Sequence, residues 1–153
     1  MAEAWRIVKK KHAATAFDGE GAAKAGGRWN SPGIRIVYTS ATLSLAALES
    51  LVHLNPPVYF SYVKFRIEVD DALIEAMPVD RLPAGWSVNP PGAASMTIGD
   101  QWVIAGRTAV LKVPSVIIPG ESSYLLNPSH PDFGRITIGN AEVFTFDPRL
   151  FPI

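Results

Sequence analysis

Two residues in this chain sit where folding alone has little use for them. The first is Arg28, in the stretch "GGRWNSPG" from Gly26 to Gly33. Glycine and proline punctuate loops, so this stretch is neither a helix interior nor a long strand. Yet its centre carries a guanidinium and an indole, and a turn needs neither. The residues allow two readings. Trp29 caps the core beside a solvated Arg28, or the loop presents a planar cation to an anion, which a guanidinium binds through paired, charge-assisted hydrogen bonds.

The second residue is Glu49. On a helical wheel Thr42, Ala46, Glu49 and His53 form one stripe, at spacings of four, three and four. Leu43, Leu45, Ala47, Leu48, Leu51, Val52 and Leu54 cover nearly all the rest, and a helix apolar almost all round is expected to be buried. An unpaired buried charge costs on the order of several kcal/mol. Glu49 therefore pairs with His53 one turn on, or reaches a solvent edge, or serves as a carboxylate on the floor of a cleft. Tyr38, at the end of the preceding strand, lies near such a cleft if strand and helix pack directly.

Other constellations are weaker. Ser115, His130 and Asp132 are triad residue types, but nothing around Ser115 resembles a nucleophile elbow, and His130 reads equally as a turn residue. His12, His53 and His130 have no metal-ligand spacing beyond the Glu49/His53 pair, so no metal site is expected. "GEGAAKAGG" has glycines without either phosphate-loop pattern.

The elements that must position these groups are short, because thirteen prolines and twelve glycines divide the chain. "WRIV" reads as a strand, followed by a Gly/Ala-rich loop through "FDGEGAAKAGGRWNSPG". "IRIVYTS" reads as a second strand, with Thr39, Ser40 or Thr42 as N-cap of the helix "LSLAALESLVHL", which Asn55-Pro56-Pro57 stops. "VKFRIEV" alternates, with Val63, Phe65, Ile67 and Val69 on one side. "DALIEAM" predicts one or two helical turns and "TIGDQWVIAG" a helix ending at Gly106. "AVLKVPSVII" reads as a strand interrupted at Pro114, and "RITIGNAEVFTF" as two short strands around Gly139-Asn140. Strands outnumber helices without alternating with them, which points to an α+β fold.

Composition narrows the function classes. At 153 residues the chain fits one domain with a real core, and 48% hydrophobic against 18% charged residues is globular. Fourteen basic residues balance fourteen acidic ones, so nothing draws the chain electrostatically to nucleic acid or membrane. With no cysteine there is no disulfide scaffold, thiolate nucleophile or thiolate metal site. "MAEAWRIVKK" lacks a signal-peptide run, and no segment approaches the ~20 apolar residues of a membrane span. A soluble, cytoplasmic protein is expected.

Three blocks, "AFDGEGAAKAGGRWNSPG", "IVYTSATLSLAALESLVHL" and "VPSVIIPGESSYLLNPSHPDF", together with the order arginine, glutamate, serine, resemble the RES domain family. The resemblance runs from about Trp5 to Phe146, so 1–153 is expected to be a single RES domain. It implies an ADP-ribosyltransferase-like fold of central, split, antiparallel-rich β-sheets flanked by short helices. It further implies a bacterial toxin that consumes NAD+ without a metal. The partner it implies is a cognate antitoxin of the Xre helix-turn-helix type, covering the active site and able to build a higher-order complex. By motif the arginine is Arg28, the tyrosine Tyr38 and the glutamate Glu49. Ser115 in "VPSV" matches the serine best, with Ser122 and Ser123 in the same block as alternatives. His53 and Asn127 join Arg28, Tyr38 and Ser115 as candidates for binding NAD+.

The chemistry of NAD+ suits these residue types. Arg28 matches its pyrophosphate, and Tyr38 can stack on the flat, cationic nicotinamide. Breaking the nicotinamide–ribose bond builds an oxocarbenium-like centre, as in glycoside hydrolysis. Nicotinamide leaves as a neutral molecule, so one carboxylate, Glu49, suffices without a general acid. Water, inorganic phosphate or a protein side chain could then attack the ribose, and the sequence does not choose between NAD+ degradation and ADP-ribosyl transfer.

Overall fold

In the computed structural model, which describes residues 1–53 and 60–150, alternation decides the longest strands. β1 (Ala2–Lys9) and β3 (Tyr62–Val69) pair antiparallel, from Ala2 opposite Val69 to Lys9 opposite Tyr62. Val63, Phe65, Ile67 and Val69 are all buried, as period two demands. β2 (Val37–Ser40), β4 (Ile74–Ala76), β5 (Val110–Pro114), β6 (Ser122–Leu126), β7 (Thr137–Ile138) and β8 (Glu142–Phe144) complete the sheet. Its order is β4-β5-β6-β2-β1-β3-β7, with β8 also on β3. Among the described residues only β4 and β5 run parallel.

The expected split shows where β1 meets β2. A single pair, Trp5 opposite Ser40, joins them, whereas β2 and β6 share four pairs. Arg6 fills the seam: Nε donates to the Ala16 carbonyl at 2.7 Å and Nη1 to that of Tyr38 at 2.9 Å. Burial lowers its pKa to about 10, against the pull of Asp18, so the strut stays cationic at neutral pH.

The β5-β6-β2 leaf is covered on both faces. Val37, Val110, Tyr124 and Leu126 enter one cluster with Ala4, Ile67 and Val69. Ile36, Leu111, Val113 and Leu125 enter the other with Trp29 and Trp102. Among the described residues three α-helices accompany the sheet: α1 (Glu20–Ala25), α2 (Leu43–His53) and α3 (Ala93–Ala105). Of the three N-cap candidates, Thr42 caps α2, its Oγ1 accepting from the Leu45 amide at 3.1 Å. α3 ends as expected at Gly106, with φ 62° in the left-handed region. The proposed stop of α2 at Asn55-Pro56-Pro57 lies outside the described residues. Among the described residues no helix is long and apolar enough to cross a membrane.

Three local expectations change, and one strand was not foreseen. α2 is not buried all round: only Leu45 and Ala46 are buried and Val52 is 60% exposed. "DALIEAM" forms a single 3-10 turn, Asp71–Leu73, and then β4, because Ile74–Ala76 finds β5 as a partner. The Gly/Ala-rich loop contains α1. Ser122–Leu126, to which the sequence reading assigned no element, is a central strand.

Candidate active site

Tyr38 is where sheet and arginine loop meet. It projects from β2 toward the cluster of Trp29, Trp102 and Leu125. Its hydroxyl accepts from the Trp29 amide at 3.0 Å and donates to Asn30 Oδ1 at 2.6 Å. Gly27 leaves room for that hydroxyl, since a Cβ there would stand 2.7 Å from it. Asn30 is fully buried, and its Nδ2 donates to the carbonyls of Ala22 and Ile34 at 2.9 Å and of Ser31 at 3.3 Å. A buried amide demands such partners, and here they set the loop's path.

α3 supports the loop from beneath. Asp100 accepts from Ser31 N at 2.8 Å and from Ser31 Oγ at 2.5 Å. A Cβ on Gly99 would fall 1.6 Å from the Trp29 carbonyl oxygen, so helix and loop touch backbone to backbone. Trp29 is buried and stacks on Trp86, with centroids 6.0 Å apart and planes at 27°.

Trp29 thus caps the core, but Arg28 is not a freely solvated side chain. Its Nη1 donates to the carbonyls of Trp86 and Val88, both at 2.9 Å. Burial lowers the Arg28 pKa, opposed by the charges of Glu49 and Tyr38. For Glu49, burial raises the pKa above the ordinary glutamate range, opposed by His53 and Arg28. Burial likewise pushes the Tyr38 hydroxyl up, so it stays neutral at physiological pH. All three residues are partly buried, Arg28 and Tyr38 each feel the charge of the other two, and Glu49 feels that of Arg28.

His53 does not explain Glu49. Its Nε2 is 3.9 Å from Glu49 Oε2, and its side chain is 80% exposed. An exposed pair at that distance is worth only ~0–1 kcal/mol. Glu49, with 34% of its side chain exposed, is neither fully solvated nor held in a strong structural pair.

The remaining candidates are placed differently. Ser115 is buried just past β5, and its Oγ accepts from the amides of Ile117 and Ile118, each at 3.1 Å. Ser122 lies opposite Pro114, and Ser123 opposite Val113 and Ser40, so all three serines occupy the end of the leaf from which α2 departs. Asn127 follows the far end of β6, with Oδ1 accepting from the Ser129 amide at 3.0 Å. His130 stands at that far end too, Nδ1 accepting from the Asp132 amide at 2.9 Å and Nε2 3.0 Å from the Gly106 carbonyl. Both ring nitrogens are engaged at the opposite end from Ser115, so the three triad types are not assembled.

A separate hollow of about 470 Å³ is lined by Lys9, Lys10, Lys11, Phe60 and Ser61, with Lys9 Nζ 4.2 Å from the Phe60 ring centre. Among the described residues its lining has cations but no carboxylate, the group that glycosidic cleavage needs. Sequence reasoning missed Asn30, Trp86, Gly99 and Asp100. One signal was available: a glycine inside a helix costs ~1 kcal/mol relative to alanine and marks close packing when retained.

Comparison with known proteins gives the family. Residues 3–147 match the RES domain family. The chain is 40% identical over 152 residues to the Prs ADP-ribosylating toxin of Sphingobium sp. (strain YBL2), covering 95% of this chain and 94% of that protein. It is 36% identical over 148 residues to Toxin Res of Yersinia enterocolitica, covering 95% and 97%. A chain in the crystal structure of the M. tuberculosis MbcT–MbcA toxin–antitoxin complex matches with a TM-score of 0.74 at 18% identity, over 94% of this chain and 84% of that one. That likeness shows the fold, and the sequence relatives show the family. This chain belongs to the RES domain family.

Proposed function

We propose that this protein is the toxin of a toxin–antitoxin pair and consumes NAD+ by breaking the nicotinamide–ribose bond. The observation that carries the reading is the grouping of Arg28, Tyr38 and Glu49 within range of one another's charges. Among the described residues both hydrogen bonds of Arg28 use Nη1, leaving Nε and Nη2 for pyrophosphate oxygens. Tyr38, neutral and fixed by two hydrogen bonds, offers a rigid ring for the nicotinamide. Glu49 stabilises the positive charge that develops on the ribose.

In this step the bond from C1′ to the nicotinamide nitrogen breaks, and its electron pair leaves with neutral nicotinamide. The oxygen of water or phosphate then bonds to C1′, and when water attacks, its proton passes to Glu49 or solvent. Ser115 accepts two backbone hydrogen bonds yet keeps a hydroxyl proton to donate, and it remains the assignment for the family serine. His53, at the exposed rim, orients Glu49 when protonated. Asn127 acts through the loop it shapes beyond β6.

A second reading, transfer of ADP-ribose to a protein side chain, is favoured by the name of the Sphingobium relative. The same pocket serves both, and only the attacking group differs. Incubation with NAD+, followed by mass spectrometry, separates them. Free ADP-ribose or its 1-phosphate supports degradation, an ADP-ribosylated protein supports transfer, and the absence of nicotinamide release contradicts both.

A chain with this activity must be silenced in the cell that makes it, and the proposed partner is an Xre-type antitoxin covering the cleft near Arg28 and Glu49. The balanced charge of this chain leaves DNA contact to the partner, including in any higher-order complex. On this reading the protein would act where its NAD+ and its antitoxin are, in the cytoplasm.

A further inference from the structure

The arginine loop is held by α3 as much as by its own turn residues, and one side chain of α3 supplies the polar part. Both carboxylate oxygens of Asp100 are taken by Ser31, through its amide at 2.8 Å and its hydroxyl at 2.5 Å. Ser31 is three residues beyond Arg28. Between them, Trp29 is pressed against Gly99 so closely that no Cβ fits. The loop is therefore pressed down at Trp29 and bolted at Ser31, and Arg28 projects from the edge of the clamped stretch. Glycine and aspartate are both poor choices for the middle of a helix. A local rule broken at two consecutive positions, both facing the same loop, has its return in where that loop stands.

We propose that Asp100 is a positioning residue for Arg28: it touches no substrate, and by fixing Ser31 it sets where the guanidinium meets the pyrophosphate. The proposal rests on the NAD+ reading of the site. Arg28 would hold the pyrophosphate equally before and during bond cleavage, so a displaced Arg28 weakens substrate binding and leaves the chemical step alone.

The test compares purified wild type with Asp100→Ala, Asp100→Asn, Ser31→Ala and the Asp100→Ala/Ser31→Ala double variant. Two readouts are taken, nicotinamide release against NAD+ concentration and hydrogen exchange at the Trp29–Ser31 amides. Asp100→Ala should raise KM about tenfold with kcat within about twofold. Asp100→Asn, which keeps an acceptor for the Ser31 amide, should recover most of the loss. Ser31→Ala should add nothing to Asp100→Ala, because the two act through one contact. Exchange at the loop amides should rise in Asp100→Ala, while the Leu111 and Leu125 amides in the core stay protected.

Wild-type KM and kcat per folded molecule, with only a lower melting temperature, would overturn the proposal by making Asp100 plain scaffolding. Unchanged loop exchange would overturn it as well. A wild-type protein that releases no nicotinamide would sink the NAD+ reading instead, and the exchange measurement would still decide whether Asp100 fixes the loop.

Discussion

At the scale of single residues, Arg28 and Glu49 were legible in the sequence because each is the wrong type for its surroundings. Asn30 was not, since its four hydrogen bonds reach Ala22, Ser31, Ile34 and Tyr38, and only the folded chain gathers those partners. Glu49 also sets a pH dependence. Burial raises its pKa, so the folded protein binds that proton more tightly than the unfolded chain does. The stability this contributes is complete below the ordinary glutamate pKa and is lost as pH rises through the raised one. In the proposed mechanism activity runs the other way, because the working form is the carboxylate. As pH rises from the ordinary glutamate pKa through the raised one, kcat/KM should climb while the Glu49 contribution to the melting temperature declines, and Glu49→Gln should remove both trends. Parallel pH series of melting temperature and kcat/KM check the pair. A Glu49→Gln melting curve with the same pH dependence as wild type would show that this carboxylate is not perturbed.

At the scale of elements, the strands with clean alternation were readable and the two-sided ones were not. "VKFRIEV" buries one face and reads as a strand, whereas "SSYLL" is covered on both faces and offers no alternation to find. Ile74–Ala76 became strand through its pairing with Val110–Lys112, a tertiary contact that overrides local preference. α2 is apolar on most sides but packs through few of them, because apolar residues need not all be buried. α3 was visible as a helix, though its role in holding the arginine loop was not. Gly99→Ala tests that role by setting two effects against each other. Alanine gains ~1 kcal/mol in helix propensity, but its Cβ would meet the Trp29 carbonyl, and overpacking costs ~1–3 kcal/mol. The clash involves backbone, so it should win: thermal or urea denaturation should show a net loss of stability. A more stable Gly99→Ala protein would mean that helix and loop separate easily.

At the scale of the molecule, the seam between β1 and β2 divides the sheet into two leaves, and Arg6 bridges it to the backbone of Tyr38. One leaf carries Tyr38 and Ser123, with Ser115 and Ser122 at its end, α2 carries Glu49, and α3 holds the arginine loop through Asp100 and Ser31. The candidate residues lie on separate elements, so the family resemblance groups them where no one stretch of sequence does. The central claim is that Glu49 works on the reacting ribose. It is tested most directly by nicotinamide release from purified Glu49→Gln, measured beside its melting temperature and NAD+ affinity. The substitution removes the charge with little change of shape. Since that charge is penalised by burial, the fold should survive at neutral pH with a melting temperature no lower than wild type. NAD+ should still bind, and turnover should fall by on the order of 10²–10⁴. A folded Glu49→Gln protein that binds NAD+ and releases nicotinamide at the wild-type rate would contradict the claim.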